Sequence, residues 1–275
     1  MLRALLLALG LSAAASGASA QYAEGGARGL AMGRTGVAVG GQPWGQANPA
    51  TWATADRRAG LEASQAYGFS ELRLAGATVV APLAVGTVAA SGRSYGTGGY
   101  AETRLLVGLG SEVPLSVSRR LSLGAAVGYD GVSIDGFGSR GTVHLSLGVQ
   151  GDVVRSVRAG FAVRNVLGLA DGEDADLVRP LGSVPSVAAG VTYRPSERAL
   201  IALDAVQDLD GALSVRAGLE ARVAEPLAVR AGVGTAPVTY SAGIGVLAGP
   251  LAADVGVEVH ESLGLTPAVS LQVGF

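Results

Sequence analysis

The last eleven residues alternate with a period of two. Pro267, Val269, Leu271, Val273 and Phe275 are apolar, and Ala268, Ser270, Gln272 and Gly274 between them are small or polar. Successive side chains of a strand point to opposite faces, so this pattern sets one face in oil and the other in water. A tilted strand of about ten residues is long enough to cross a bilayer. The strand ends on the aromatic Phe275, the form of closing strand that bacterial outer-membrane assembly handles.

The same period recurs along the chain. Val143, Leu145, Leu147 and Val149 share a face, as do Val157, Ala159, Phe161 and Val163, then Leu213 through Val223 and Leu251 through Val259 at every second position. Reading each run gives strands at 60–69, 72–81, 83–92, 101–112, 120–130, 140–151, 156–167, 184–194, 198–207, 211–223, 226–236, 238–248, 250–261 and 265–275. These are fourteen, an even number, as single-chain bacterial barrels have. The expected fold class is therefore all-β, a transmembrane antiparallel β-barrel of about 14 strands. The uncharged runs 74–92 and 231–253 are long enough for a membrane helix, but Pro82, Pro237 and Pro250 break them into strands and turns.

The connections give a second test. The long ones, Arg93–Tyr100, Gly131–Ser139 and Gly168–Ser183, all fall on one side, expected to be the outer side. The opposite side has short connections, expected to carry Pro82, Pro114, Pro195, Pro226 and Pro250. Asp171, Glu173, Asp174 and Asp176 in the longest loop read as a solvated surface without calcium-loop spacing.

Charges fall on the face opposite the apolar one. Arg158, Arg164, Asp204, Arg216, Glu220, Arg222, Arg230, Asp254 and Glu258 form the expected lumen set. Their mixed signs favour a network that fills and stiffens the interior over a charge-selective pore. With Gly at 43, hydrophobic residues at 49% and charged residues at 15%, the composition suits a barrel wall better than a soluble enzyme.

Met1 to Ala20 reads as a secretory leader: Arg3, an apolar run from Ala4 to Leu11, and Ala18-Ser19-Ala20 before Gln21. The absence of cysteine excludes a lipoprotein and leaves the fold to hold without disulfides. The formal charge of −2, without a basic patch, points to no nucleic-acid partner. His144 and His260, both on expected lumen faces, show neither catalytic nor metal-ligand spacing, so the expectation is no enzyme, no cofactor and no metal.

Residues 21–59 do not alternate. They contain Gly26-Ala27-Arg28, Met32-Gly33, Val37-Ala38 and Asn48-Pro49-Ala50. This order resembles the amino-terminal signature of the PorV/PorQ-like proteins, within the wider FadL-like outer-membrane superfamily. Arg164-Asn165-Val166-Leu167-Gly168, Gly190-Val-Thr-Tyr193-Arg-Pro195 and Arg216-Ala-Gly-Leu-Glu220 follow in a similar order. Ala31 stands where that pattern has Gly, and Thr51-Trp52 where it has Gly-Leu. The resemblance implies a fourteen-stranded barrel whose amino-terminal segment enters the lumen. It implies a role in protein secretion of the type IX kind or in surface attachment, or alternatively transport of small hydrophobic molecules across the outer membrane. The implied partners are outer-membrane lipid and secretion-system or surface proteins. The expected layout is a leader at 1–20, a plug at 21–59 and the barrel at 60–275. Glycines between Gly25 and Gly41 suit a plug through close backbone packing, and Asn48-Pro49 suits a helix stop or turn cap.

Overall fold

The computed structural model describes residues 25–45, 47–116, 119–170, 184–209 and 211–275. The expected leader and the acidic loop residues Asp171, Glu173, Asp174 and Asp176 lie outside them.

Fourteen strands form one closed antiparallel barrel: β1 (Arg58–Gln65), β2 (Arg73–Leu83), β3 (Gly86–Tyr95), β4 (Tyr100–Ser116), β5 (Arg119–Ile134), β6 (Gly138–Val154), β7 (Val157–Ala170), β8 (Ser186–Ser196), β9 (Ala199–Asp208), β10 (Leu213–Ala224), β11 (Leu227–Thr235), β12 (Val238–Ala248), β13 (Leu251–His260) and β14 (Gly264–Gly274). Each strand pairs with its sequence neighbours, and β1 pairs with β14 from Arg58 opposite Gly274 to Ser64 opposite Ala268. Closure joins the first strand to the last, so the sheet has no free end strand.

The alternation faces as expected. On β14, Val269, Leu271 and Val273 are turned outward, whereas Thr266, Ala268, Ser270 and Gln272 are buried against the interior. Outward Leu, Val and Ile side chains recur on every strand pair and form a broad apolar belt. The side-chain period of two makes this arrangement stiff, because a slip of one residue would bring Arg and Glu to the belt.

The connections keep the expected parity and differ in length. On the side of Phe275, 84–85, 155–156, 197–198, 225–226 and 249–250 are two residues each. The opposite side has 66–72, 96–99, 135–137, 171–185, 209–212, 236–237 and 261–263. The expected loop Gly131–Ser139 is mostly strand: β5 and β6 pair as far as Ile134 opposite Gly138, closing on Asp135, Gly136 and Phe137. Gly and Asp in that run read as turn residues, but they continue a hairpin beyond the apolar belt, where alternation of hydrophobicity is not required. Pro82, Pro114 and Pro195 lie near the ends of β2, β4 and β8 rather than in turns, whereas Pro226 and Pro250 are in turns.

Residues 25–57 run inside the barrel. A short helix α1 (Gly26–Ala31) packs against β11–β14 and β1, and a 3₁₀ helix (Pro49–Thr54) packs against β3–β6. The largest fully buried side chains include Trp44, Trp52, Leu30, Met32, Val37 and Val39, all from this segment. The core of the protein is thus the plug inside its own barrel.

Candidate functional site

The segment 25–57 and the lumen wall that grips it form the candidate site. Its first half is held by charge. Arg28 on α1 donates from Nε and Nη2 to the two carboxylate oxygens of Glu220 on β10, at 2.7 and 2.8 Å. Glu220 also accepts from Arg230 Nε at 2.6 Å, and Arg230 Nη1 donates to Asp254 at 2.7 Å. Arg34, at φ 61°, makes a second fork to Glu258 on β13, at 2.9 and 2.7 Å. Such two-pronged pairs fix orientation as well as distance. Asp204 on β9 accepts the backbone N–H of both Gly36 and Val37, at 2.7 and 3.0 Å. Ser241 accepts the N–H of Gly33 at 3.0 Å and donates to the carbonyl of Ala31 at 3.2 Å. The plug backbone thus finds in the wall the partners that a buried loop must have.

The second half is held by apolar packing and one asparagine. Trp52 sits with Ala55, Val80, Ala89, Leu106 and Ala126. Asn48 is fully buried; its Oδ1 caps the 3₁₀ helix by accepting the Ala50 N–H at 2.9 Å. Its Nδ2 donates to Val37 at 2.7 Å and to Val149 of β6 at 3.2 Å, tying both halves of the plug to the wall. Gln150 donates to the Ala50 carbonyl at 3.1 Å.

Glycine on the lumen face makes this close seating feasible. A Cβ on Gly232 would overlap the backbone at Met32 and Gly33, one on Gly124 the backbone at Pro49 and Ala50, and one on Gly160 the Val37 carbonyl. The glycine content noted in the sequence is therefore partly a groove cut for the plug.

All eight motif residues lie in this packed segment. Gly26 takes φ 66°, and a Cβ there would lie 2.7 Å from Trp44 Nε1. Ala27 packs with Leu30 and Ala268, and Met32 with Val39, Leu200 and Ala202. Gly33, Arg28, Asn48, Pro49 and Ala50 make the contacts given above. Of the lumen charges, Arg164 donates to Ser186 at 3.0 Å, Arg216 to the Arg34 carbonyl at 3.5 Å, and Arg158 to Asp152 at 2.7 Å. Arg222 has the lumen parity of its strand and lies exposed at the rim beside the turn 225–226, past the end of the plug packing.

A second group of lumen charges was not in the expected set. Glu62 and Arg93 form a buried ion pair at 2.5 Å, and Arg93 lies 5.6 Å from the Trp44 ring centre. Arg104 forks onto Asp130 at 2.6 and 2.8 Å, with His144 Nε2 at 3.2 Å from the same carboxylate. Glu102 is buried next to them. The same alternation marks Glu62, Arg104 and Asp130, since Leu61, Leu105 and Tyr129 beside them face outward.

Beside this group the wall is irregular. The β6–β7 register shifts between Val143 and Leu145 and again between Leu145 and Leu147, adding residues on β7. Asn165 in the bulge takes φ 56°, and β7 stops pairing with β8 at Arg164 opposite Ser186. Asn165 Nδ2 spans the gap to the Val184 carbonyl at 3.1 Å. Bulges bend a strand and interrupt its ladder. Two voids, each of about 20 Å³, lie against the plug, one by Arg28, Met32 and Arg34, the other by Arg104, His144 and Asn165. Each has room for about one water.

No family model and no curated protein matches the chain. Solved structures do. The CymD monoaromatic hydrocarbon channel is similar with a TM-score of 0.65 and 13% identity, over 91% of this chain and 97% of that one. A Pseudomonas aeruginosa FadL homologue gives 0.62 and 12% over 91% and 98%. The Pseudomonas putida toluene transporter TodX gives 0.58 and 11% over 90% and 96%. The chain has the fold of FadL-like outer-membrane barrels. The narrower PorV/PorQ-like resemblance finds no counterpart among these matches.

Proposed function

We propose that the protein is an outer-membrane transport barrel that passes small hydrophobic molecules, with residues 25–57 as its gate. The observation that carries this reading is the plug seated against a bulged wall at Asn165. Whole-length likeness to hydrocarbon channels supports it. The plug fills the middle of the lumen with buried Trp44, Trp52, Leu30 and Met32, so passage requires the plug to shift. The forked pairs Arg28–Glu220 and Arg34–Glu258 can break and reform without disturbing the barrel ladder, which makes the charged half the moving half.

A staple tests this. A Cβ on Gly256 would lie 3.3 Å from that of Ala31, within reach of a disulfide, and 2.7 Å from the Ala27 carbonyl, so Gly256→Cys alone serves as the control for a shifted plug. Ala31→Cys with Gly256→Cys in this cysteine-free chain should block uptake of a small aromatic hydrocarbon when oxidised and restore it on reduction. Uptake indifferent to the bond would refute plug gating.

The second reading, secretion or surface attachment through a partner, is favoured by the tight packing of the plug. Deleting the gene separates the two. Lost solute uptake with unchanged surface proteins supports transport; lost surface proteins with unchanged uptake supports secretion.

A further inference from the structure

On the side of Phe275, the hairpins from β6–β7 round to β12–β13 are bonded to their neighbours. The Arg194 N–H donates to the Ser156 carbonyl at 2.8 Å, Arg222 to Arg198 at 2.7 Å, Leu247 to Pro226 at 2.8 Å and Gly274 to Pro250 at 2.9 Å. The β4–β5 hairpin is different. β3 begins at Gly86, and its ladder with β4 starts at Thr87 opposite Gly110. β4 runs on to Ser116, paired with β5 from Glu112 opposite Ser122 to Ser116 opposite Arg119. Among the described residues no strand pairs with Glu112–Ser116 on the β3 side. An edge of about five residues, a usual strand length, is therefore open.

Pro114 in this edge has no N–H, as an edge position tolerates, and proline there discourages indiscriminate pairing. A strand added to it must gain from its side chains too, and the surroundings define them. Beside the edge Leu83, Val85, Val113 and Leu115 are exposed, and Leu83 and Val113 have the parity of the outward belt. The mouth face is basic. Arg58, Arg120, Arg158, Arg194 and Arg222 have lumen parity at this rim. Glu112 answers Arg120 at 3.1 Å and Asp152 answers Arg158 at 2.7 Å. Among the described residues no carboxylate pairs with the other three.

We infer that the open edge of β4 is a docking site for an extended acidic peptide of a partner protein, which adds to the barrel as a further strand. Main-chain hydrogen bonds to the edge hold such a peptide, and its alternate side chains set its identity. Apolar ones lie on the face of Leu83 and Val113, and carboxylates turn to the unanswered arginines of the mouth. The excess of positive charge also draws an acidic segment to this rim before contact. The inference goes beyond the transport reading and does not depend on it.

The test uses the detergent-solubilised full chain and two labelled hexapeptides, one alternating glutamate with valine and one lysine with valine, read by fluorescence anisotropy at low salt. The glutamate peptide is expected to bind about tenfold tighter than the lysine peptide. Its fully N-methylated form, which cannot donate to the edge, should not bind. Given a terminal cysteine, it should form a disulfide with Ser116→Cys and not with Glu225→Cys in the β10–β11 turn, since the chain has no cysteine of its own. Arg58→Glu with Arg120→Glu should abolish its preference. Equal binding of the two peptides, or binding of neither, overturns the inference. Binding that survives N-methylation reduces the site to a charged rim and overturns it as well, and so does a disulfide formed alike at both cysteines.

Discussion

Arg28 of the plug and Glu220 of β10, 192 residues apart in sequence, meet through two parallel hydrogen bonds of 2.7 and 2.8 Å. Glu220 holds a second arginine, Arg230, at 2.6 Å. The two partners are therefore unequal. Removing Arg28 leaves Glu220 still neutralised by Arg230; removing Glu220 takes from Arg28 the carboxylate it forks onto and leaves Arg230 to Asp254. Breaking a fully buried pair in that way costs about 3–5 kcal/mol, and this part-buried one less. Glu220→Ala is expected to unseat the plug far more than Arg28→Ala. Limited proteolysis of residues 25–57 in folded barrels measures it, and equal cleavage of the two variants would contradict the shared-carboxylate account. A charge swap, Arg28→Glu with Glu220→Arg, should not rescue, because the new arginine would stand beside Arg230.

Gly232 tests the groove. A Cβ there would overlap Gly33 N and Met32 C, which are backbone atoms and cannot rotate away. The strand itself accommodates alanine, so Gly232→Ala should leave the barrel intact and displace the plug. The expected signature is unchanged heat-dependent gel mobility with faster plug cleavage. Loss of the folded barrel band instead would mean that the plug is needed for closure.

The barrel was legible because its signal is repeated. Fourteen strands read from alternation return with ends shifted by a few residues, and β14 finds β1 as its pairing partner. Faces were legible wherever the outward residues are large, as at Leu61, Leu105 and Tyr129. They were not at Arg93, whose outward neighbours are Gly92 and Ser94, too small and polar to declare a side. The contents of the lumen were not legible in detail. Which carboxylate meets Arg28 or Arg34 depends on how far a glycine-rich coil is inserted, and no sequence spacing encodes a contact across 192 positions. The glycines of Gly232, Gly124 and Gly160 looked like weak strand residues until the plug lay against them.

Asn48 gives a prediction in which the conservative change is the worse one. Its oxygen caps the 3₁₀ helix and its nitrogen donates to two carbonyls, Val37 and Val149. Asn48→Ala loses all three and should cost about 1–3 kcal/mol for the groups left unpaired. Asn48→Asp keeps the cap but places a carboxylate oxygen against two carbonyl oxygens in a fully buried position. It should be at least as damaging at neutral pH and partly relieved when the carboxyl is protonated in acid. Urea-dependent cleavage of the plug, run at two pH values, checks both statements. An aspartate variant as stable as the wild type at neutral pH would show that water reaches the site.

Asn165 tests the wall. Its φ of 56° lies in the left-handed region, which asparagine tolerates and β-branched residues resist. Its side chain also bridges to the Val184 carbonyl at 3.1 Å, where the β7–β8 ladder has ended. Asn165→Gly keeps the backbone and loses the bridge; Asn165→Val loses both, at a strain of about 1–3 kcal/mol. If the bulge is only a local irregularity, both variants should change amide exchange near β7 and nothing else. If the wall beside the plug is part of the solute path, Asn165→Gly should also raise uptake by freeing the β8 end of the gap. Asn165→Val should alter uptake in proportion to the lost protection of β7. Amide exchange and uptake measured on the same two proteins separate these outcomes. The decisive result is whether uptake moves in the glycine variant while the ladder below Arg164 keeps its protection.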